Sequence, residues 1–365
     1  MLNTIEEAIS DIREGKLVIV VDDEDRENEG DFICAAEKIT PETINFMATV
    51  ARGLICTPIR ERRAQELDIQ MMVNRNTAMH ETAFTVSIDL VGNGCSTGIS
   101  AYDRATGIKA LTNPDIRRED FARPGHIFPL IAKNGGVLRR MGHTEAAVDL
   151  ATLAGLYPAG VLVEILNADG TMARLPQLME IADKYQCKII TINDLVAYRL
   201  KNENLIQRQY QSKINTEFGE VEVFLFSQIS NDDKHLALKI GDWDEQDIVP
   251  VRVFSHDKSH ELIELILHKG SSRFVRSIEL MKTKGKGLVL FMRQHDKMAN
   301  LEQSLDNLSN PTADSVATEQ RDLGIGAQIM KDLGIHKINL LSASNKRKVG
   351  LEGYGLEIVE NTYFE

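Results

Sequence analysis

No uninterrupted apolar run in this chain reaches the ~20 residues of a membrane-spanning helix, so no span is expected. The opening segment, MLNTIEEAISDIREGK, is amphipathic and acidic and lacks the basic-then-apolar layout of an export signal. A cytoplasmic location is the expectation. Cysteine is scarce. Cys34, Cys56, Cys95 and Cys187 are widely spaced with no C-x-x-C pair, which fits reduced thiols better than a disulfide framework. No cysteine follows Cys187. Positive charge is in deficit: 42 basic against 54 acidic residues give a net charge of −12, which argues against a general grip on nucleic acid. One local basic pocket for a small phosphate ester remains compatible with it. The glycine-rich stretch Gly92–Gly98, GNGCSTG, matches neither GxxxxGK[ST] nor GxGxxG, so as a nucleotide loop it is weak. The chain has no internal repeat.

What is present is an ordinary globular composition, 43% hydrophobic and 26% charged, over a length of 365 residues that suggests two domains. Thr4–Glu14 reads as a helix with Ile5, Ala8, Ile9 and Ile12 on one face and Gly15 as its cap. Leu17–Val21 is an apolar, β-branched run expected to form a buried strand, and Phe84–Ile88 and Val161–Leu166 are further strand candidates. Thr144–Leu153 and Pro176–Tyr185 read as helices, the second opened by proline in its first turn. Helical and strand patterns intersperse throughout, so the class is α+β or α/β. Tyr198–Lys213 turns polar and is taken as the link between domains. Val221–Phe226 reopens strand character, and Met298–Gln320 is expected to be a loop.

Three segments carry candidate chemistry. Asp22–Asp31 reads DDEDRENEGD, seven acidic residues in ten, placed directly after a buried-strand signal. Hard divalent cations prefer such oxygen ligands, and Arg26 beside Glu27 offers a hold on an anionic substrate. The alternative is a solvated acidic loop. Arg139, Arg140, Met141, Gly142, His143 and Thr144 stand at a helix start, where free N–H groups and the helix dipole suit a phosphate. Two arginines can chelate phosphate oxygens, and His143 offers a ring nitrogen to a metal. Plain capping by Thr144 with surface arginines is the alternative. Glu164 interrupts the apolar run VLVEIL, a position that is costly unless paired, functional or turned to solvent. His126 falls in Arg123-Pro-Gly-His126, a turn sequence.

Together these segments resemble one family, the 3,4-dihydroxy-2-butanone 4-phosphate synthases of riboflavin biosynthesis. The resemblance rests on DDEDRENEGD at 22–31, GCSTGISAYDR at 94–104, RPGHIFPL at 123–130, RRMGHTEA at 139–146 and AGVLVEILNADGTMAR at 159–174, and spans residues 1–200. It implies a compact α+β domain that works as a homodimer. It also implies conversion of ribulose 5-phosphate to 3,4-dihydroxy-2-butanone 4-phosphate and formate, with Mg2+ or Mn2+, two ions per site. By motif, Glu27 and His143 are the implied metal ligands. Arg26, Glu27, Asp31, Arg140, Met141, Gly142, His143, Thr144 and Glu164 are the implied substrate contacts, and His126 and Glu164 the implied catalytic groups. Met141 stands where many relatives have glycine. The reaction starts with loss of a C1 proton to give an enediol, which suits a base such as Glu164 set among apolar neighbours. Shielding of reactive intermediates would follow from closure of the acidic loop, with Gly30 as hinge.

Residues 208–365 resemble GTP cyclohydrolase II through TEFG at 216–219, HLAL at 235–238, VRVFS at 251–255, RDLGIGAQ at 321–328 and GLEGYGL at 350–356. That family holds catalytic zinc through three cysteines after the Val-Arg-Val strand. Here the segment reads SHDKSHELIELILHKGSS, with only His256, His260 and His268 as substitutes. Arg321 matches the family's nucleophilic arginine, while Glu319 and Ser342 replace an aspartate and a threonine. No zinc and no cyclohydrolase activity are expected. The retained fold would stabilise the dimer, bind a nucleotide or dock a partner enzyme of the riboflavin pathway. The opposing expectation is a bifunctional enzyme that also opens GTP.

Overall fold

The computed structural model describes residues 2–22, 27–77, 82–216, 219–229, 233–255, 273–292, 316–342 and 356–363. The chain divides into two compact units, Met1–Tyr198 and Arg199–Glu365. Arg26, His256, His260 and His268 lie outside the described residues, as does most of the segment Met298–Gln320.

The first unit opens with helix α1, Ile5–Glu14. Thr4 accepts from the Glu7 N–H while the Glu7 carboxylate accepts from the Thr4 N–H, and Gly15 closes the helix at φ 84°. Its buried stripe is the one the sequence pattern predicts, Ile5, Ala8, Ile9 and Ile12. Next come β1 (Val18–Val21), β2 (Gly30–Ala35), α2 (Pro41–Phe46), β3 (Cys56–Arg60), α3 (Glu61–Glu66), β4 (Ile88–Leu90) and α4 (Ala101–Ala110). They are followed by β5 (Phe121–Ala132), α5 (His143–Leu153), β6 (Gly160–Glu164), α6 (Leu175–Tyr185), β7 (Lys188–Thr191) and α7 (Ile192–Asn202). The strands form one mixed sheet in the order β4-β5-β3-β6-β2-β1-β7. β2 lies antiparallel between β1 and β6, and this register sets Asp31 beside both Val20 and Glu164. All four residues of β1 and all six of β2 are buried, which is why β1 reads as a continuous apolar run without alternation. Phe32, Ile44, Met47 and Ile59 are fully buried members of the core on one side of this sheet.

The second unit contains β8 (Ile206–Thr216), β9 (Gly219–Gln228), β10 (Lys234–Ile240), β11 (Ile248–Ser255), α8 (Arg273–Lys284), β12 (Gly287–Met292), α9 (Val316–Asp332), β13 (Lys337–Ser342) and β14 (Glu357–Tyr363). Its sheet runs β14-β13-β11-β12-β10-β9-β8. β8, β9, β10 and β12 pair antiparallel, whereas β12, β11, β13 and β14 pair parallel. The fold class is therefore mixed α/β in both units, as the interspersed patterns implied.

Several local expectations fail. The polar stretch Tyr198–Lys213 holds the boundary between the units but is not irregular: it completes α7 and begins β8, an edge strand whose side chains are nearly all exposed. The strand expected at Phe84–Ile88 is reduced to isolated bridges at Phe84 and Thr85 around a short strand at Ile88–Leu90. Residues 316–320, assigned to a loop, lie in α9. His126 is not in a turn but inside β5.

Candidate active site

The site forms where β1 and β2 exchange the chain and β6 ends beside them. Asp22 is the first residue after the buried run of β1, and its carboxylate is tied down by the chain that follows. Its Oδ1 accepts from the Glu29 N–H at 2.8 Å and its Oδ2 from the Glu27 N–H at 3.3 Å. Glu27–Glu29 are therefore held against Asp22, and the chain enters β2 at Gly30, which pairs with Val21. Gly30 is a strand residue with Leu178 packed where a Cβ would stand, 2.4 Å from its Cδ1, so it is no hinge.

His143, at the start of α5, reaches this fold from the other side. The N-cap of α5 is Gly142 and no side chain caps it, so Thr144 sits inside the first turn, buried, and is not the cap. His143 is buried too, with Nε2 3.1 Å from the Val20 carbonyl oxygen. That contact makes Nε2 the protonated nitrogen and leaves the lone pair on Nδ1. Asp22, Glu27 and His143 each offer one ligand atom, all within 4.8 Å of one another.

Asp31 and Glu164 stand side by side on β2 and β6 behind this trio. Asp31 is 2% exposed, and its Oδ1 has no hydrogen-bond partner among the described residues. Burial raises its carboxyl well above the usual range, and the charges of Glu164, Glu27, Glu29 and Asp22 add to the effect. Glu29 is raised for related reasons, burial first and then Glu27, with Arg174 opposing. Burial also raises the thiol of Cys56, which lies near Glu164 and Asp31. Glu164 is the last residue of β6 and is half-buried; its Oε2 accepts from the Leu54 N–H at 2.8 Å. Gly53 makes that approach possible, because a Cβ there would lie 2.4 Å from the Glu164 carbonyl oxygen.

This donor set suits a divalent cation. Two carboxylates and an imidazole converge, a buried carboxylate oxygen is orphaned beside them, and the crowd of acidic groups repels itself without a counter-charge.

Arg140 lies at the edge of the same region. Its Nη1 is 2.7 Å from Oε2 of Glu145, a 1%-exposed residue, and its Nη2 donates to Thr82. Met141 and Gly142 link it to α5, and the Gly142 N–H donates to the Arg140 carbonyl. His126 is not part of the Asp22–Glu27–His143 cluster. It projects from β5 with Nδ1 2.7 Å from Asp89 Oδ2, and its own N–H donates to Asp89 Oδ1. Sequence reasoning missed Asp22 as a member of the cluster, Asp89 as the partner of His126, and Arg174, whose Nη1 donates to the carbonyls of Glu27 and Asn28. Only Asp22 carried a signal, its place at the end of a β-branched run.

Residues 6–198 match the 3,4-dihydroxy-2-butanone 4-phosphate synthase family. The chain belongs to that family and is an enzyme of its class. Residues 207–363 of the synthase match the GTP cyclohydrolase II family. The "Riboflavin biosynthesis protein RibBA" of Porphyromonas gingivalis is 48% identical over 374 residues, covering 100% of this chain and 92% of the relative. Its counterpart in Cytophaga hutchinsonii is 49% identical, covering 98% and 91%. A crystal structure of RibBX, described as a two domain synthase of this kind from A. baumannii, superposes with a TM-score of 0.82 at 38% identity, covering 99% of both chains. A synthase structure in complex with two magnesium ions matches with a TM-score of 0.54 at 40% identity, covering 55% of this chain and 98% of the other. The synthase is thus a lyase of riboflavin biosynthesis.

Proposed function

We propose that the first unit converts ribulose 5-phosphate to 3,4-dihydroxy-2-butanone 4-phosphate and formate, with Mg2+, or Mn2+ in its place, at two ions per site. The observation that carries the reading is the convergence of Asp22, Glu27 and His143 beside the Asp31–Glu164 pair. Glu27 and His143 hold the cation, joined by Asp22, which the sequence did not single out. When bound, a hard cation holds adjacent sugar oxygens and stabilises the oxyanion that develops on them. Glu164, fixed by the Leu54 N–H, takes the C1 proton to give the enediol. Asp31 shares that face of the site, and the burial that raises its carboxyl suits it to hold a proton against a substrate oxygen. Arg26, Arg140 and the first turn of α5, from Met141 through Gly142 and His143 to Thr144, bind the substrate, with Arg140 and Thr144 toward the phosphate. His126, oriented by Asp89, serves later proton transfers.

The enzyme is proposed to act in the cytoplasm as a homodimer. Exposed Met71, Met72 and Val73 supply an apolar surface suited to a second copy, and light-scattering mass tests it.

Two readings apply to residues 207–363. The RibBA relatives, matched over about nine-tenths of their length, and the cyclohydrolase II match favour a bifunctional enzyme that also opens GTP. The lack of any cysteine beyond Cys187 favours a retained fold without that activity, which stabilises the dimer, binds a nucleotide or docks a pathway enzyme. One experiment addresses all of this. Purified protein is given ribulose 5-phosphate with Mg2+, the same with EDTA, and GTP with Zn2+, and formate is followed. Cation-dependent formate from the sugar phosphate is expected; its absence would sink the synthase mechanism. Formate from GTP decides for the bifunctional reading, and none decides for the silent one.

A further inference from the structure

Glu27 stands in an acidic stretch of sequence whose like charges repel one another, so its backbone needs anchoring. Asp22 does part of this, accepting from the Glu27 and Glu29 N–H groups. The carbonyl side is held from a distant part of the chain. Arg174, the N-cap residue of α6, donates from Nη1 to the Glu27 carbonyl at 2.8 Å and to the Asn28 carbonyl. Asn28 has a left-handed backbone, φ 54°, so its carbonyl and that of Glu27 can converge on one donor. One turn along α6, Leu178 fills the space above Gly30 and fixes where the segment enters β2.

We propose that Arg174 is a positioning residue that holds Glu27 on the cation, acting through the Glu27 and Asn28 carbonyls and not by touching substrate. The inference rests on Glu27 as a ligand, as set out above. It assigns to the first turn of α6 the outer support that metal ligands usually require, whose loss weakens metal affinity by roughly 10- to 100-fold.

The test uses full-length, metal-stripped protein and Mn2+ as probe, with free Mn2+ read by its electron paramagnetic resonance signal. Arg174→Met is expected to weaken Mn2+ binding about 10-fold. Arg174→Lys keeps a cationic donor and should recover part of the loss; it also serves if the methionine variant fails to fold. In a Glu27→Gln background, Arg174→Met should add no further loss, because its effect runs through Glu27. Wild-type Mn2+ affinity in both Arg174 variants overturns the proposal, and so does an undiminished loss in the Glu27→Gln background. Unchanged affinity in Glu27→Gln alone sinks the ligand assignment itself, a different failure that is visible without any Arg174 variant.

Discussion

Replacing Glu164 by glutamine keeps the shape of the side chain, and its amide oxygen can still accept from the Leu54 N–H, but it removes the base. Turnover should fall by about 10²–10⁴. Ribulose 5-phosphate should still bind, measured by calorimetry next to the formate assay. Near-normal turnover would move the base elsewhere, with Asp31 the first candidate. Glu164 was legible in the sequence because a carboxylate breaks an apolar strand run. His143 was legible because it stands at a helix start. Arg174 was not, and Asp22 only through its place at the end of a β-branched run, for a shared reason: their roles depend on pairings made only by the fold. The Arg174–Glu27 contact joins residues 147 apart in sequence. No spacing rule reports such a contact, which forms only when the start of α6 meets the chain just before β2.

Elements place these residues, and two of them supply tests. Gly53 lies between α2 and β3, where β6 passes so closely that a Cβ would meet the carbonyl oxygen, Oε2 and nitrogen of Glu164 at 2.4, 2.6 and 2.9 Å. Two of these atoms are backbone and cannot swing aside. Gly53→Ala should therefore cost about 1–3 kcal/mol in urea unfolding and lower turnover with it. Full activity would mean the strand end yields more easily than its register suggests. In the second unit, His235 on β10 is buried, and burial pushes its pKa down to about 4 from 6.5. The folded state then refuses a proton that the unfolded chain accepts below pH 6.5. Stability is full above that pH, falls as pH drops toward 4, and levels off below, a loss on the order of 3 kcal/mol at most. The sole tryptophan, Trp243, donates to the Leu333 carbonyl in this unit, so its fluorescence follows the transition. His235→Gln should flatten the pH dependence between 6.5 and 4, and an unchanged slope would assign it to other groups. Elements were read from the sequence best where one face is buried, as in α1. β8 was missed because an edge strand exposed on nearly all its side chains has no apolar alternation and resembles a linker. The short β4 and the bridged residues before it were misjudged in the opposite direction, from β-branched composition without a ladder to join.

At the scale of the whole molecule, the open question is whether cations act on one unit or on both. Among the described residues, only Asp22, Glu27 and His143 gather with ligand atoms spaced to hold a metal ion, and all three belong to the first unit. A ligand that binds only the folded state stabilises it by mass action, about 2.7 kcal/mol at one hundred times its dissociation constant. Amide exchange in β1 and β2 reports the first unit, and Trp243 reports the second. Mg2+ should protect β1 and β2 by that amount. Whatever Mg2+ does to the Trp243 transition measures energetic coupling between the units and so serves as the control. Zn2+ is then compared with it. If residues 207–363 hold no zinc, Zn2+ shifts the Trp243 transition no more than Mg2+ does at equal occupancy of the first unit. An additional Zn2+-specific shift would mean that this region has assembled a zinc site without cysteine, and it would turn the argument toward the bifunctional enzyme that the RibBA relatives suggest.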